Sequence, residues 1–305
     1  MTIFEYLGIS KDELINLDIS RNYLTYFIKK SDGKRTRRID APSPSLKLIQ
    51  KTILRKLLYT YRAHDIAHGF VIGRSPKTNA EAHIGKKYIV KIDIKDFFAS
   101  ITIDTVIFYL TYLLKKQKKF DIPSKEDIEL LAKILCFNGS LPQGAPTSPT
   151  FTNIVCYGLD IELDKLQKTH TCTITRYADD ITASFNDSTK IYSIIQKLIG
   201  AISIKGFNTN SKKLRVCSSA KRQRITGIVV NQKLNTPKES WRNLRATLHQ
   251  SALHGITEKD AQKLRGQIEW LRTLNYSRGI QFLKKFEKLN VTPHLNTLPT
   301  AVALT

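Results

Sequence analysis

Tyr177-Ala178-Asp179-Asp180 places two adjacent carboxylates between two short runs, 172–176 and 181–184, that read as strands. A β-turn between Tyr177 and Ile181 puts Asp179 and Asp180 at the tip of a hairpin. A third carboxylate, Asp93, closes the mostly apolar run Tyr88-Ile89-Val90-Lys91-Ile92-Asp93-Ile94, which reads as a buried strand. If these strands are sheet neighbours, the three acids converge. Like charges brought that close are unfavourable unless a cation offsets them. Mg²⁺ suits such a site, because it prefers oxygen ligands and keeps water and substrate-phosphate ligands. Paired carboxylates on adjacent strands are what a two-metal nucleotidyl-transfer site requires. An Asp-Asp pair alone is also what an exposed turn carries, so the remainder of the chain has to decide.

The 305 residues suffice for a full core and two or three subdomains. Lys and Arg number 49 against 26 Asp and Glu, a formal charge of +23. Residues 211–305 alone hold 18 basic and 5 acidic side chains. Such an excess favours a polyanionic partner and steers it toward the protein, although a basic surface also serves solubility. Cys136, Cys156, Cys172 and Cys217 lack the close spacing of metal ligands and read as reduced thiols of a cytoplasmic protein. The apolar run 106–114 is too short to span a bilayer, and no charged leader precedes an apolar segment. No membrane partner is expected.

Periodicity organises the rest. Leu46, Ile49, Ile53, Leu54, Leu57 and Leu58 fall at helical spacing over 45–59, and 104–115 has a wide apolar helical face. Ser124 followed by Asp127 is a capping-box pattern before a helix over 128–136. A Gly/Pro-rich loop covers 139–149, and one helix is predicted over 150–166. The pattern over 191–202 is helical, and 215–218 with 225–231 are candidate strands. Beyond residue 231 the chain is basic and helical: Trp241, Leu244 and Leu248 share one face, Leu264, Ile268 and Leu271 a second, Phe282, Phe286 and Leu289 a third. A mixed α/β (α+β) body over 1–231 and a helical tail over 232–305 follow.

Three segments occur in an order that carries more than any of them alone. Asp93-Ile94-Lys95-Asp96-Phe97-Phe98 comes first, then Leu141-Pro142-Gln143-Gly144-Ala145-Pro146-Thr147-Ser148-Pro149, then the Tyr177 to Asp180 tetrad. In these motifs and their order the chain resembles a reverse transcriptase, and among these the bacterial retron type. The resemblance implies a right-hand polymerase, with fingers and palm in 1–231 and a basic helical thumb in 232–305. It implies Asp93, Asp179 and Asp180 as the catalytic carboxylates. Asp93 and Asp179 are the main ligands of two Mg²⁺ ions, for which Mn²⁺ is an alternative; Asp180 lies nearby and the Ile94 carbonyl assists. The substrates implied are dNTPs. Phe98 takes the position of the ribose gate, where an aromatic ring collides with a 2′-hydroxyl. Gln143 and Gly144 approach the incoming base pair and template. Arg38, within the basic turn Lys34-Arg35-Thr36-Arg37-Arg38, and Arg74 are the candidates for the triphosphate, with their division of labour left open. Lys213 resembles the family Lys near the active site.

Two short elements point to the retron subtype. Asn79-Ala80-Glu81-Ala82-His83 resembles its Asn-Ala-x-x-His element, and Thr226-Gly227 its Val-Thr-Gly element, with Ile225 in place of Val. His83 reads as an RNA contact or a structural hydrogen-bonding group. Asn275-Tyr276 departs from the Asn-Pro common in related chains, a change that bears on helix termination. The resemblance further implies a cognate structured noncoding RNA as template, recognised largely by shape and single-stranded features. It implies priming from a guanosine 2′-hydroxyl, a branched RNA-linked single-stranded DNA, an RNA–DNA duplex held by the thumb, and antiphage defence with a separately encoded effector protein. Two other readings are a non-retron reverse transcriptase, intron-derived or from another defence system, and a catalytically silent RNA-binding scaffold. The first differs in lacking a branched product. The second struggles against the presence of all three acids.

Overall fold

A computed structural model describes residues 1–29, 33, 36–289 and the backbone of 291–292. Lys34 and Arg35 of the basic turn lie outside the described residues. The chain divides into two compact units, Met1–Asn79 with Lys86–Ser218, and Ala80–Gly85 with the chain from Ser219 onward.

The first unit opens with two short helices, α1 (Ile3–Leu7) and α2 (Lys11–Ile15), then an antiparallel ribbon of β1 (Tyr23–Lys29) and β2 (Thr36–Pro42). The ribbon leads into α3 (Pro44–Lys56), which starts at N-cap Ser43 with Pro44 in the first turn. α4 (Pro76–Glu81) precedes β3 (Tyr88–Asp93); α5 (Ile103–Leu114) and α6 (Lys125–Leu135) follow. The Ser124–Asp127 capping box is present at the start of α6. The stretch 150–166 forms two helices, α7 (Ser148–Val155) and α8 (Tyr157–His170), with Cys156 between them at ψ −3. The two helices differ in burial: six of the eight α7 residues are buried, whereas α8 buries only Leu159, Asp160 and Leu163.

β4 (Thr173–Tyr177), β5 (Asp180–Phe185), α9 (Ile191–Ile204) and β6 (Arg215–Ser218) complete the unit. Its four-stranded antiparallel sheet has the order β4-β5-β3-β6. β3 is central, and Ile89, Val90, Ile92 and Asp93 on it are all buried. α8 and α9 pack on each other, α8 against β4 and α9 against β3. Leu159, Leu163, Leu198 and Ile202 fill the layer between. The sheet register sets Asp93 opposite Asp180 and Ile92 opposite Ile181.

In the second unit the run 225–231 is no single strand. β7 (Arg224–Ile225) and β8 (Ile228–Val229) form a hairpin around Thr226 and Gly227, at φ 46 and φ 83. Two left-handed central residues are the signature of a type I′ turn, whose twist matches that of the strands. α10 (Lys238–His254), β9 (Ile256–Thr257), α11 (Glu258–Leu274), α12 (Tyr276–Phe286) and β10 (Val291–Thr292) follow. Leu244, Leu248, Leu264, Ile268, Leu271 and Phe282 meet in one core, with Trp241, Phe286 and Leu289 packed on it. α11 and α12 approach so closely at Gly279 that a Cβ there would stand 2.2 Å from Arg272 Cα. Asn275 ends α11 and caps α12, its side chain accepting the Arg278 N–H at 3.2 Å, so the helix starts cleanly without a proline. Among the described residues no helix is long and apolar enough to cross a membrane.

Candidate active site

The β4–β5 hairpin turns on two residues. Tyr177 pairs with Asp180, which leaves Ala178 and Asp179 as the turn. Ala178 sits at φ 57, a conformation that costs a residue with a Cβ roughly 1–2 kcal/mol. Three contacts hold the turn there. The Asp179 carbonyl accepts the Ile94 N–H at 3.0 Å, and the Ala178 carbonyl accepts Arg176 Nη1 at 3.2 Å. Gly69 lies against the turn with no room to spare: a Cβ on it would be 2.4 Å from the Ala178 nitrogen.

Arg176 is fully buried, and so is its partner Asp160. Arg176 Nε and Nη2 donate to the two carboxylate oxygens of Asp160, each at 2.6 Å. Nη2 also reaches Asn153 Oδ1 at 3.1 Å, and Asn153 Nδ2 donates to the Gly69 carbonyl at 3.0 Å. The Arg176 backbone donates to the Ile66 carbonyl at 2.9 Å and accepts the His68 N–H at 2.7 Å. One guanidinium therefore joins α7, α8, the 66–69 loop and the turn. Sequence reading missed this network; its partners are scattered along the chain and no motif marks them.

Asp93, Ile94 and Asp179 line a cleft of about 620 Å³, together with Phe98, Gln143, Lys213, Arg37 and Arg38. Asp180 is not among the lining residues; it faces Asp93 across the β3–β5 register. Asp93 is 4% exposed, and Lys213 Nζ donates to its Oδ2 at 2.7 Å. The Asp179 carboxyl is pushed up to about 6, first by burial and then by the charges of Asp180 and Asp93, and it shares a hydrogen bond with Asp93. Asp180 is raised as well, by burial above all and by Asp93, against the opposing pull of Lys91 and Lys213. The acids are thus under-compensated, and their oxygens are hard donors. Among the described residues no group of three or more His, Cys, Asp or Glu forms a ready cage for a metal ion. Two carboxylates beside an open cleft fit an ion such as Mg²⁺, which keeps water and phosphate ligands, better than one that needs an all-protein shell.

The nucleotide candidates separate into those the cleft gathers and those it does not. Phe97 is buried against Phe207, whereas Phe98 is half-buried and lines the cleft. Gln143 lines it too, and its carbonyl accepts the Asp40 N–H at 3.0 Å. Gly144, at φ 153, packs on Asp40, where a Cβ would meet the carbonyl oxygen at 2.4 Å. Arg38 lines the cleft with its Nε bonded to Asp40 Oδ1 at 2.8 Å. Arg74 lies elsewhere, bonded to the side chain and carbonyl of Asp65 and to the Ala67 carbonyl. Arg37 was not singled out from sequence, yet it lines the same cleft and, among the described residues, forms no ion pair.

A family model described as reverse transcriptase (RNA-dependent DNA polymerase) matches residues 28–244. This chain belongs to the reverse transcriptase family. It is similar to the retron Mx162 reverse transcriptase of Myxococcus xanthus, 33% identical over 90% of this chain and 62% of that protein. It is likewise similar to the retron Ec86 reverse transcriptase of Escherichia coli, 31% identical over 85% of this chain and 79% of that one. These relatives place it in the retron type. The chain spans less than two thirds of the Myxococcus protein's length, 62%. In fold it is similar to apo telomerase from Candida tropicalis, with a TM-score of 0.53 and 12% identity over 88% of this chain and 58% of that chain. That likeness and the family match assign the right-hand polymerase fold.

The subtype elements of this reverse transcriptase lie mostly in the second unit. Ala80 and His83 are fully buried, and the Gly85 N–H donates to the Val230 carbonyl at 3.1 Å, just past the Thr226-Gly227 turn. Burial of this completeness makes His83 a structural group. Asn79, in the first unit, is 1% exposed, and its Oδ1 is buried without a hydrogen-bond partner.

Removing one side of the buried pair leaves the other uncompensated. Asp160→Ala is expected to lower stability by about 3–5 kcal/mol in denaturant titration; a loss under about 1 kcal/mol would contradict the clamp. Asp179 gives a pH signature. Its folded value lies above the ordinary 3.8, so the folded state binds the extra proton and this group's contribution falls as pH rises from about 4 to about 6. In metal-free protein Asp179→Asn is expected to be more stable than wild type at pH 7, with the difference closing toward pH 4. Melting curves across that range check it, and a difference independent of pH would count against the electrostatic assignment.

Proposed function

We propose that this chain is an RNA-directed DNA polymerase that copies part of a cognate structured noncoding RNA into single-stranded DNA. The observation that carries the reading is the convergence of Asp93 and Asp179 on one cleft with Phe98, Gln143, Lys213 and two arginines. In this reading Asp93, Asp179 and the Ile94 carbonyl hold two Mg²⁺ ions, with Asp180 adding charge behind them. When bound, the ions supply activation of the primer hydroxyl and compensation of the triphosphate. The protein's own part is positioning and electrostatics. Arg37 and Arg38 offset phosphate charge at the mouth of the cleft. Phe98 closes the sugar side, so that a 2′-hydroxyl meets the ring. Gln143 and Gly144, fixed to Asp40, present a flat wall to the nascent base pair. Lys213 rests on Asp93 and is placed to turn toward the departing phosphates.

The second unit supports the nucleic-acid side of the proposal. Trp241 and Trp270 line a groove of about 700 Å³ with Lys263 and Gln267. Gly266 is in the groove lining, and apart from its chain neighbours and the backbone of its own helix no heavy atom of the described residues lies within 4 Å of where its Cβ would stand. Two indoles, Arg245 and Arg278 over the Trp241 ring, and Lys263 make a polar and cationic groove suited to contacts with a nucleic-acid backbone, and this helical unit is the thumb of the proposal. The finer reading we propose is priming from a guanosine 2′-hydroxyl, a branched RNA-linked DNA, a cytoplasmic setting, and antiphage defence with a separately encoded effector; it extends the retron resemblance of the sequence motifs.

Co-expression with the neighbouring noncoding DNA tests this. Branched RNA-linked DNA is expected from wild type. The Asp179→Asn, Asp180→Asn variant is expected to lose it by more than about a thousandfold, with folding and RNA binding retained. Product at wild-type levels in the variant would reject the site, and unbranched DNA from wild type would reject the priming mode.

A further inference from the structure

Phe70 is an aromatic residue in a place where a core aromatic would not be. It is 42% exposed, and it holds φ 61, a left-handed conformation that is an outlier for so bulky a side chain. Such outliers persist where the surroundings over-determine them, and they cluster at functional sites. The surroundings here are specific. Gly69, the preceding residue, is pressed against the Ala178 nitrogen, and Asn153 Nδ2 donates to the Gly69 carbonyl at 3.0 Å and the Phe70 carbonyl at 3.4 Å. The backbone of Phe70 is thereby fixed to the catalytic turn through the Arg176 network.

Its ring lines the cleft of Asp93 and Asp179. The centroid stands 6.3 Å from that of Phe98 with the planes at 58°, within the range of an aromatic pair. Phe98 also meets the buried Phe97 at 5.6 Å and 68°. Phe98 thus contacts two rings, one in the core and one whose backbone is tied to the catalytic turn.

We infer that Phe70 is a positioning residue for sugar discrimination: it braces Phe98, so that the ring cannot swing aside for a 2′-hydroxyl. The inference rests on Phe98 acting as the gate. A gate ring packed on one side only can yield, and an apolar pocket edge that yields discriminates weakly. The second brace comes from outside the turn after β3 that carries Phe98. It ties the shape of the sugar pocket to the geometry of the Asp179 turn.

Single-nucleotide extension on an RNA template tests this, with a dNTP and the matching rNTP given to the full chain. Phe70→Gly is the informative variant, because glycine accepts φ 61 without strain and the fold is expected to melt normally. Phe70→Gly is expected to reduce the dNTP-to-rNTP ratio of kcat/KM about tenfold. Phe70→Leu restores part of the ratio. Phe98→Ala lowers the ratio further, and the double variant is no worse than Phe98→Ala alone, because Phe70 acts through Phe98. If Phe98→Ala relaxes discrimination and Phe70→Gly does not, the brace is refuted while the gate stands. If Phe98→Ala leaves discrimination intact, the gate itself fails and the brace with it. Additive losses in the double variant also overturn it, since they place Phe70 on the sugar independently.

Discussion

The bidentate pair between Arg176 and Asp160 is the interaction on which the site depends. A buried guanidinium is tolerable only when its donors are satisfied, and here the carboxylate, an amide oxygen and a turn carbonyl take them. Each partner belongs to a different element, so satisfying one charge fixes four pieces of chain at once. The turn that carries Asp179 is among them. Its strained Ala178 is held from below by Arg176 and from the side by Gly69, and Asp179 itself is tied to the strand of Asp93 through the Ile94 N–H. The energy stored in the turn is small beside that of the clamp.

The carboxylates pose the opposite problem. Asp93, Asp179 and Asp180 are brought together with less cationic compensation than they need, and Asp179 responds by retaining its proton to about 6. Lys213 meets part of the demand at Asp93. What remains is an appetite for positive charge in a cleft that Arg37 and Arg38 also line. Acids and arginines in one cleft suit a substrate that brings divalent cations and phosphates together. Arg74, which sequence reading ranked beside Arg38, is instead consumed by Asp65 and Ala67, where it stiffens the loop behind Phe70.

The three acids were legible from the local pattern, which places them at a strand end and in a hairpin; Phe98 and Gln143 were singled out by the resemblance of their motifs and the order in which those motifs occur. The β3–β5 register was not legible in this way, because both strands are buried on both faces and show no alternation. The Arg176 network was not legible, since Asp160, Asn153 and Gly69 meet Arg176 only through tertiary packing. The helix break at Cys156 was not legible because no glycine or proline stands at the break itself. Arg37 was passed over because the motif resemblance singled out Arg38, yet both neighbouring arginines of β2 line the cleft. Phe70 gave no signal either, because a left-handed aromatic is visible only in the folded backbone.

The most direct test of the central claim is a structure of the chain with an RNA template, a DNA primer, a non-reactive dNTP and Mn²⁺, read by anomalous scattering. The expected result is manganese at the carboxylates of Asp93 and Asp179, with the triphosphate toward Arg37 and Arg38 and the ribose against Phe98. Manganese away from both aspartates, or a nucleotide seated outside this cleft, would contradict it.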